Sequence, residues 1–226
     1  MPPLTGATIA FDLDGALVDS APDLVGALNI ILDEHGHPAL PMDAARFVVG
    51  HGARAMLGRG FAAVGETLAE ARMDALFERF IDLYRARIAA ETRPFPGCVA
   101  ALDALAADGA TFVVCTNKRT DLAVALLDAL ELSPRFAAIV GPDLAGAAKP
   151  DARHLLYALA AAGGSRDRAI MVGDAATDIG AARNAGVPSI ALSFGYSDVP
   201  PEDLGADVLI HHFDELPAAA RRLLAR

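Results

Sequence analysis

From Pro94-Phe95-Pro96-Gly97 onward, short apolar runs alternate with helical segments, and that rhythm restricts the fold more than any other feature of the chain. The runs are Thr111 to Cys115, Ala137 to Val140, Ala169 to Val172, Ser189 to Leu192 and Asp207 to Ile210. Between them lie segments of ordinary helix length, such as Asp121 to Leu130, Asp151 to Ala162 and Asp178 to Ala185. Strands that alternate with helices read as βαβ units, whose successive strands lie parallel in one sheet. An earlier run, Thr8 to Phe11, belongs to the same sheet. The expected class is α/β, with a Rossmann-like parallel sheet at its core.

The stretch between Leu17 and about Ala90 has a different texture. Leu24, Leu28, Ile31 and Leu32 recur at helical spacing after Pro22-Asp23, a plausible helix start. Met73, Leu76, Phe77, Phe80, Ile81 and Tyr84 repeat the pattern, with Arg72, Glu78, Arg79, Asp82 and Arg85 on the other side. Gly50-His51-Gly52 and the glycines from Gly58 to Gly65 read as breaks between helices. The helical block is therefore expected as an insert, with an α/β core formed by residues 1–19 and 91–226 and a helical cap formed by residues 20–90. Connectors near Gly15–Pro22 and Ala90–Pro96 join the two.

Each polar cluster falls just after a strand. Phe11-Asp12-Leu13-Asp14-Gly15 ends the first run, and two acids followed by glycine are poor material for a strand interior. Thr116-Asn117-Lys118 follows Thr111 to Cys115. Lys149-Pro150 lies in the Gly/Ala-rich loop after Val140, and Gly173-Asp174-Ala175-Ala176-Thr177-Asp178 follows Ala169 to Val172. A parallel sheet brings loops of this kind to one edge, where ligands bind. Gathered carboxylates repel unless a cation holds them, and an oxygen-rich site suits magnesium. Of the 19 Lys and Arg residues only Lys118 and Lys149 are lysine. A compact ammonium suits a phosphate or carboxylate better than a wide guanidinium fork where space is short.

Composition narrows the classes of partner. The formal net charge is −10 and there is no basic stripe, so nucleic acid is not an expected partner. An anionic substrate would need local positive charge or a metal. Cys98 and Cys115 are far apart, and Cys115 lies in an apolar run, which reads as buried free thiols in a reducing compartment. The N-terminus lacks the basic and apolar regions of a signal peptide, and no uninterrupted apolar stretch would span a bilayer. A cytoplasmic protein without a membrane partner is expected, as a monomer or homodimer.

Four ordered clusters now stand together: Asp12-Leu13-Asp14-Gly15-Ala16-Leu17-Val18-Asp19-Ser20, Thr116-Asn117-Lys118, Lys149-Pro150 and Gly173 to Asp178. In that order, each after a strand, they resemble the motifs of the haloacid dehalogenase-like superfamily over nearly the whole chain. Asp19-Ser20-Ala21-Pro22-Asp23-Leu24, the long helical insert, and Ser193-Phe194-Gly195-Tyr196 with Gly205-Ala206-Asp207 are most similar to the phosphoglycolate phosphatase group.

That resemblance implies a magnesium-dependent phosphomonoester hydrolase acting on a small phosphorylated metabolite, with 2-phosphoglycolate the leading substrate. Asp12 would be the nucleophile that forms an aspartyl-phosphate, and Asp14 the acid and base. Magnesium would be held by Asp12, the Asp14 main-chain carbonyl and Asp174, with Asp178 as ligand or support. Thr116 and Asn117 would hold phosphoryl oxygens, Lys149 would pair with Asp12 and the phosphate, and Lys118 would face the substrate or the cap. Gly50-His51-Gly52-Ala53-Arg54 resembles a glycine-containing cap loop, and Arg54 is the candidate partner for a substrate carboxylate. The blander readings are a solvated helix arginine at Arg54 and a helix-capping acid at Asp178. Thr is usual in the family where Ala16 stands, and Ser is common where Ala175 stands. Alternative readings are a sugar-phosphate phosphatase or mutase, a pyrophosphatase or nucleotidase, and, from another class, a non-catalytic metabolite-binding protein.

Overall fold

The computed structural model describes residues 2–42, 49 and 52–225. The Gly50-His51 part of the expected cap loop lies outside them. The core is a six-stranded parallel sheet, built from β1 (Thr8–Phe11), β4 (Thr111–Cys115), β5 (Ala138–Val140), β6 (Ala169–Gly173), β7 (Ser189–Leu192) and β8 (Val208–Ile210). Spatial order across the sheet is β5-β4-β1-β6-β7-β8. The order reverses beside β1, whose register sets Phe11 between Val114 of β4 and Val172 of β6. A crevice opens beyond the carboxyl ends of strands at such a reversal.

Alternation along the strands assigns the two faces. Ile9, Phe11, Phe112, Val114, Ile170 and Val172 point into one core against α4 (Cys98–Ala107), α5 (Thr120–Ala129) and α9 (Leu216–Leu224). Ala10, Val113, Cys115 and Met171 point the other way, against α7 (Ala152–Ala161) and α8 (Ala176–Ala185). A two-residue period with both faces covered accounts for the apolar runs. A short helix, α6 (Pro142–Ala145), follows β5. Among the described residues, no helix is long and apolar enough to cross a membrane.

Three helices form a second layer: α1 (Ala21–Glu34), α2 (Ala53–Ala63) and α3 (Glu70–Ala86). Leu28, Ile31, Leu57, Phe61, Phe80 and Tyr84 make its core, which also takes in Leu122 and Tyr196 from the sheet side. The glycine expectation needs correction here, because Gly58 and Gly60 lie inside α2 and only Gly65, at φ +86°, follows the helix as a break. A Cβ at Gly60 would sit 2.8 Å from the Leu28 methyl carbons. The close crossing of α1 and α2 selects glycine there, and tertiary contact outweighs helix propensity.

A two-stranded antiparallel ribbon joins the layers, pairing β2 (Val18–Asp19) with β3 (Arg93–Pro94). Both connectors therefore run side by side. Asp23, fully buried in the first turn of α1, accepts hydrogen bonds from Glu91 N–H at 2.9 Å and from Thr92 N–H and Oγ1 at 2.8 Å each. Arg87 adds a contact at 3.3 Å. Burial by itself would raise this carboxyl, but the donors from Glu91, Thr92 and Arg87 hold it below the usual carboxylate value.

Candidate active site

The carboxyl ends of β1, β4 and β6 bring the predicted residues to one crevice. Asp12 follows β1 directly, and its Oδ1 accepts from Lys149 Nζ at 2.7 Å. The same ammonium lies 2.6 Å from Asp178 Oδ1, with its side chain almost wholly buried. Asp178 Oδ2 takes the N–H groups of Asp174 and Ala175 at 3.1 and 3.0 Å, closing the amino end of α8. One carboxylate thus caps a helix, as the blander reading of Asp178 expects, and also anchors the lysine. Asp174 Oδ2 accepts the Tyr196 N–H at 2.6 Å, while its Oδ1 is buried with no hydrogen-bond partner among the described residues.

Electrostatics at this cluster are unbalanced. Burial pushes the Asp12 carboxyl up to about 6, against the pull of Lys149 and with further upward pressure from Asp178. Asp174 is driven well above the ordinary range by burial, then by the charges of Asp178 and Asp12. Lys149 is held above its usual value, because the charges of Asp12 and Asp178 outweigh its burial. Three buried carboxylates share one ammonium. Ligand oxygens of Asp12, Asp174 and Asp178 lie within 4.8 Å of one another. A hard divalent cation fits this donor set, since it would supply the missing positive charge and engage the orphaned Asp174 oxygen.

Asp14 lies across the crevice. Lys118 Nζ contacts both its oxygens, at 2.9 and 2.8 Å, and Ser20 Oγ donates to Oδ1 at 2.6 Å. Thr116 is buried, and its Oγ1 accepts the Lys118 N–H at 3.1 Å. The Asn117 side chain bridges loops: Oδ1 accepts Lys149 N–H at 2.9 Å and Nδ2 donates to Lys149 carbonyl at 3.1 Å. That bracket carries the lysine loop to the Asp12 side of the sheet edge.

A cavity of about 280 Å³ lies over these groups, between the sheet edge and the helical layer. Asp12, Asp14, Thr116, Asn117, Lys118 and Lys149 line its floor, and Met56, Phe77, Phe80, Ile81 and Tyr84 its roof. Arg54 also lines it, from the start of α2, but its guanidinium is paired with Asp74, lies 3.9 Å from Glu70 and stacks over the Phe77 ring at 4.9 Å. Half of the Arg54 side chain is exposed.

Several residues that the sequence reading names without a role in the site support it. Tyr196 joins the Asp174 loop to the ribbon: its hydroxyl accepts Ala21 N–H at 2.9 Å and donates to Asp19 Oδ1. Gly15 and Gly195 leave room for Asp174, since a Cβ at Gly15, where φ is +84°, would lie 2.6 Å from Asp174 Oδ2. Gly15 carried a signal, standing next to Asp14. Tyr84 carried none, because in sequence it is one more apolar position on a helix face.

Comparison with known proteins places the chain in a family. Residues 9–192 match the model of a family described as haloacid dehalogenase-like hydrolase. The phosphoglycolate phosphatase of Caulobacter vibrioides is 59% identical over 98% of this chain and 93% of its own. That of Agrobacterium fabrum is 49% identical over 96% of this chain and 93% of its own. A crystal structure of a predicted phosphoglycolate phosphatase from Haemophilus somnus superposes with a TM-score of 0.87 at 27% identity, covering 94% of this chain and 97% of that one.

Proposed function

The chain belongs to the haloacid dehalogenase-like hydrolases and is a phosphatase, and from that premise we propose that it hydrolyses 2-phosphoglycolate through an aspartyl-phosphate on Asp12, with magnesium as cofactor. The observation that carries the reading is the pairing of two carboxylates in opposite settings, Asp12 held by Lys149 and Asp14 held by Lys118 and Ser20. Support for the substrate comes from the curated relatives, two of which are phosphoglycolate phosphatases at 49% identity or more.

In this mechanism Asp12 attacks phosphorus, and Asp14 gives a proton to the departing glycolate oxygen. Asp14 then takes a proton from the water that cleaves the acyl phosphate. Lys149 orients Asp12 and offsets phosphoryl charge, while Thr116 Oγ1 and Asn117 N–H hold the phosphoryl oxygens. Asp12, the Asp14 carbonyl and Asp174 would hold the metal, with Asp178 supporting Lys149 and the Asp174 loop. When bound, the metal offsets the charge of nucleophile and phosphate, which would otherwise repel. Arg54 adds positive potential at the rim. Residues 20–90 act as the cap that excludes water over the phosphate.

The test is phosphate release from 2-phosphoglycolate, sugar phosphates, nucleotides and pyrophosphate, with magnesium and with excess chelator. The reading expects magnesium-dependent release with 2-phosphoglycolate the best substrate. Full activity in chelator would reject the metal, and a different best substrate would reject the glycolate ester.

A further inference from the structure

The roof of the cavity holds a polar group that the mechanism above does not use. Tyr84, on α3, is 1% exposed, and its hydroxyl is buried with no well-formed hydrogen bond among the described residues, the Lys118 ammonium being the polar group that approaches it. Burial pushes its phenol up to about 12, so it stays a neutral donor. An orphaned hydroxyl costs the desolvation of its donor, and phenylalanine would fill the same space beside Phe80 without that cost. Tyr hydroxyls usually find a hydrogen-bond partner when buried, and this residue lines the cavity where a ligand could supply one.

Lys118 lies directly beneath, its Nζ 4.5 Å from the centre of the Tyr84 ring. Its side chain is 6% exposed. An ammonium has three donors, and that of Lys118 donates to both oxygens of Asp14. The remaining cations around the cavity are engaged elsewhere. Lys149 sits between Asp12 and Asp178, Arg119 pairs with Asp121, and Arg54 pairs with Asp74.

We propose that Tyr84 Oη and Lys118 Nζ together form the subsite for the carboxylate of the substrate's leaving group, which rests on the phosphoglycolate reading above. Distance along the substrate favours this pair. In 2-phosphoglycolate the carboxylate is one carbon from the ester oxygen that Asp14 protonates, so its partner must adjoin Asp14. Lys118 touches Asp14, whereas Arg54 stands at the rim with acidic partners of its own. One donor comes from the helical layer and the other from the sheet edge, so the carboxylate would bridge cap and core.

The experiment compares the parent and Tyr84→Phe on 2-phosphoglycolate and on ethyl phosphate, which replaces the carboxylate with a methyl group. The parent is expected to prefer 2-phosphoglycolate. In Tyr84→Phe the ratio of the two kcat/KM values should fall by about tenfold or more, the effect of losing one hydrogen bond to a charged group. A melting temperature equal to or above the parent's should accompany this, because the hydroxyl makes no well-formed hydrogen bond within the protein. An unchanged ratio, with both substrates affected alike or neither affected, would overturn the subsite. A parent that does not distinguish the two esters would overturn the substrate reading, and the subsite with it, before any variant is made.

Discussion

At Asp12, burial and chemistry pull in opposite directions. The side chain must be anionic to attack phosphorus, yet its surroundings raise its carboxyl to about 6. Lys149, 2.7 Å away, is the one cation that holds the charge in place among the described residues, and Asp178 competes for it. Asp12→Asn should therefore abolish turnover, by more than about 10³-fold, because the amide supplies no anionic nucleophile. The same variant should melt no lower than the parent, since it relieves one of three crowded carboxylates. Turnover within about threefold of the parent in purified, folded Asp12→Asn would reject its assignment as nucleophile. Asp174 shows the same tension more strongly, with one oxygen tied to the Tyr196 N–H and the other without a hydrogen-bond partner among the described residues. A millimolar divalent cation should raise the melting temperature of the parent and fail to do so in Asp174→Ala. Equal shifts in both proteins would remove Asp174 from the metal site.

Helix α2 shows how packing overrides propensity within a single element. Gly58 and Gly60 are two residues apart, and both are poor helix formers. At Gly60 the Leu28 methyls leave no space for a Cβ, whereas the nearest atom to a Cβ at Gly58 is Met73 Cε at 3.9 Å. Gly58→Ala should stabilise the protein by roughly 0.5–1 kcal/mol, through helix propensity alone. Gly60→Ala should destabilise it by about 1–3 kcal/mol, because the crossing with α1 must open. Urea melts of the two variants check both signs. Destabilisation by Gly58→Ala would mean that the open space beside it is not what it is taken to be.

For the whole molecule, the buried Asp23 carboxylate is the device that ties the two connectors together. It fastens the first turn of α1 to Glu91 and Thr92, beside the β2–β3 ribbon. Asp23→Ala strands those donors and should cost roughly 2–4 kcal/mol. The folded value of this carboxyl is depressed, so its contribution is fully present above the unfolded value of about 3.9 and is lost as pH falls through the lower folded value. The stability gap between parent and Asp23→Ala should accordingly stay constant from pH 7 to about pH 5 and narrow below about pH 4. Urea denaturation across that range measures it. A gap that widened in acid would contradict the hydrogen-bonded carboxylate.

Much of this architecture was legible in the chain because its signals are local. Short apolar runs marked strands such as Thr111–Cys115 and Ser189–Leu192 to the residue, and Asp12, Asp14, Lys149 and Asp174 stood out as charges in the segments that follow strands. Parallel pairing then placed those strand ends at one edge, as the topology rules require. Other features have no local signal. Gly60 reads as a helix breaker until Leu28 is packed against it, and Asp23 reads as a helix-start acid until Glu91 and Thr92 arrive from the other connector. Lys118 was visible as a rare lysine, but its grip on Asp14 depends on where β1 and β4 end side by side. Tyr84 was one of six apolar positions on a helix face, and only the meeting of that helix with the sheet edge leaves its hydroxyl buried above an ammonium. Periodicity and charge placement are properties of neighbours in sequence, so the chain by itself determined its strands, their order of chemistry and the acids at their ends. Which polar atom is satisfied, and by what, is a property of neighbours in space, and the tertiary structure alone decided it.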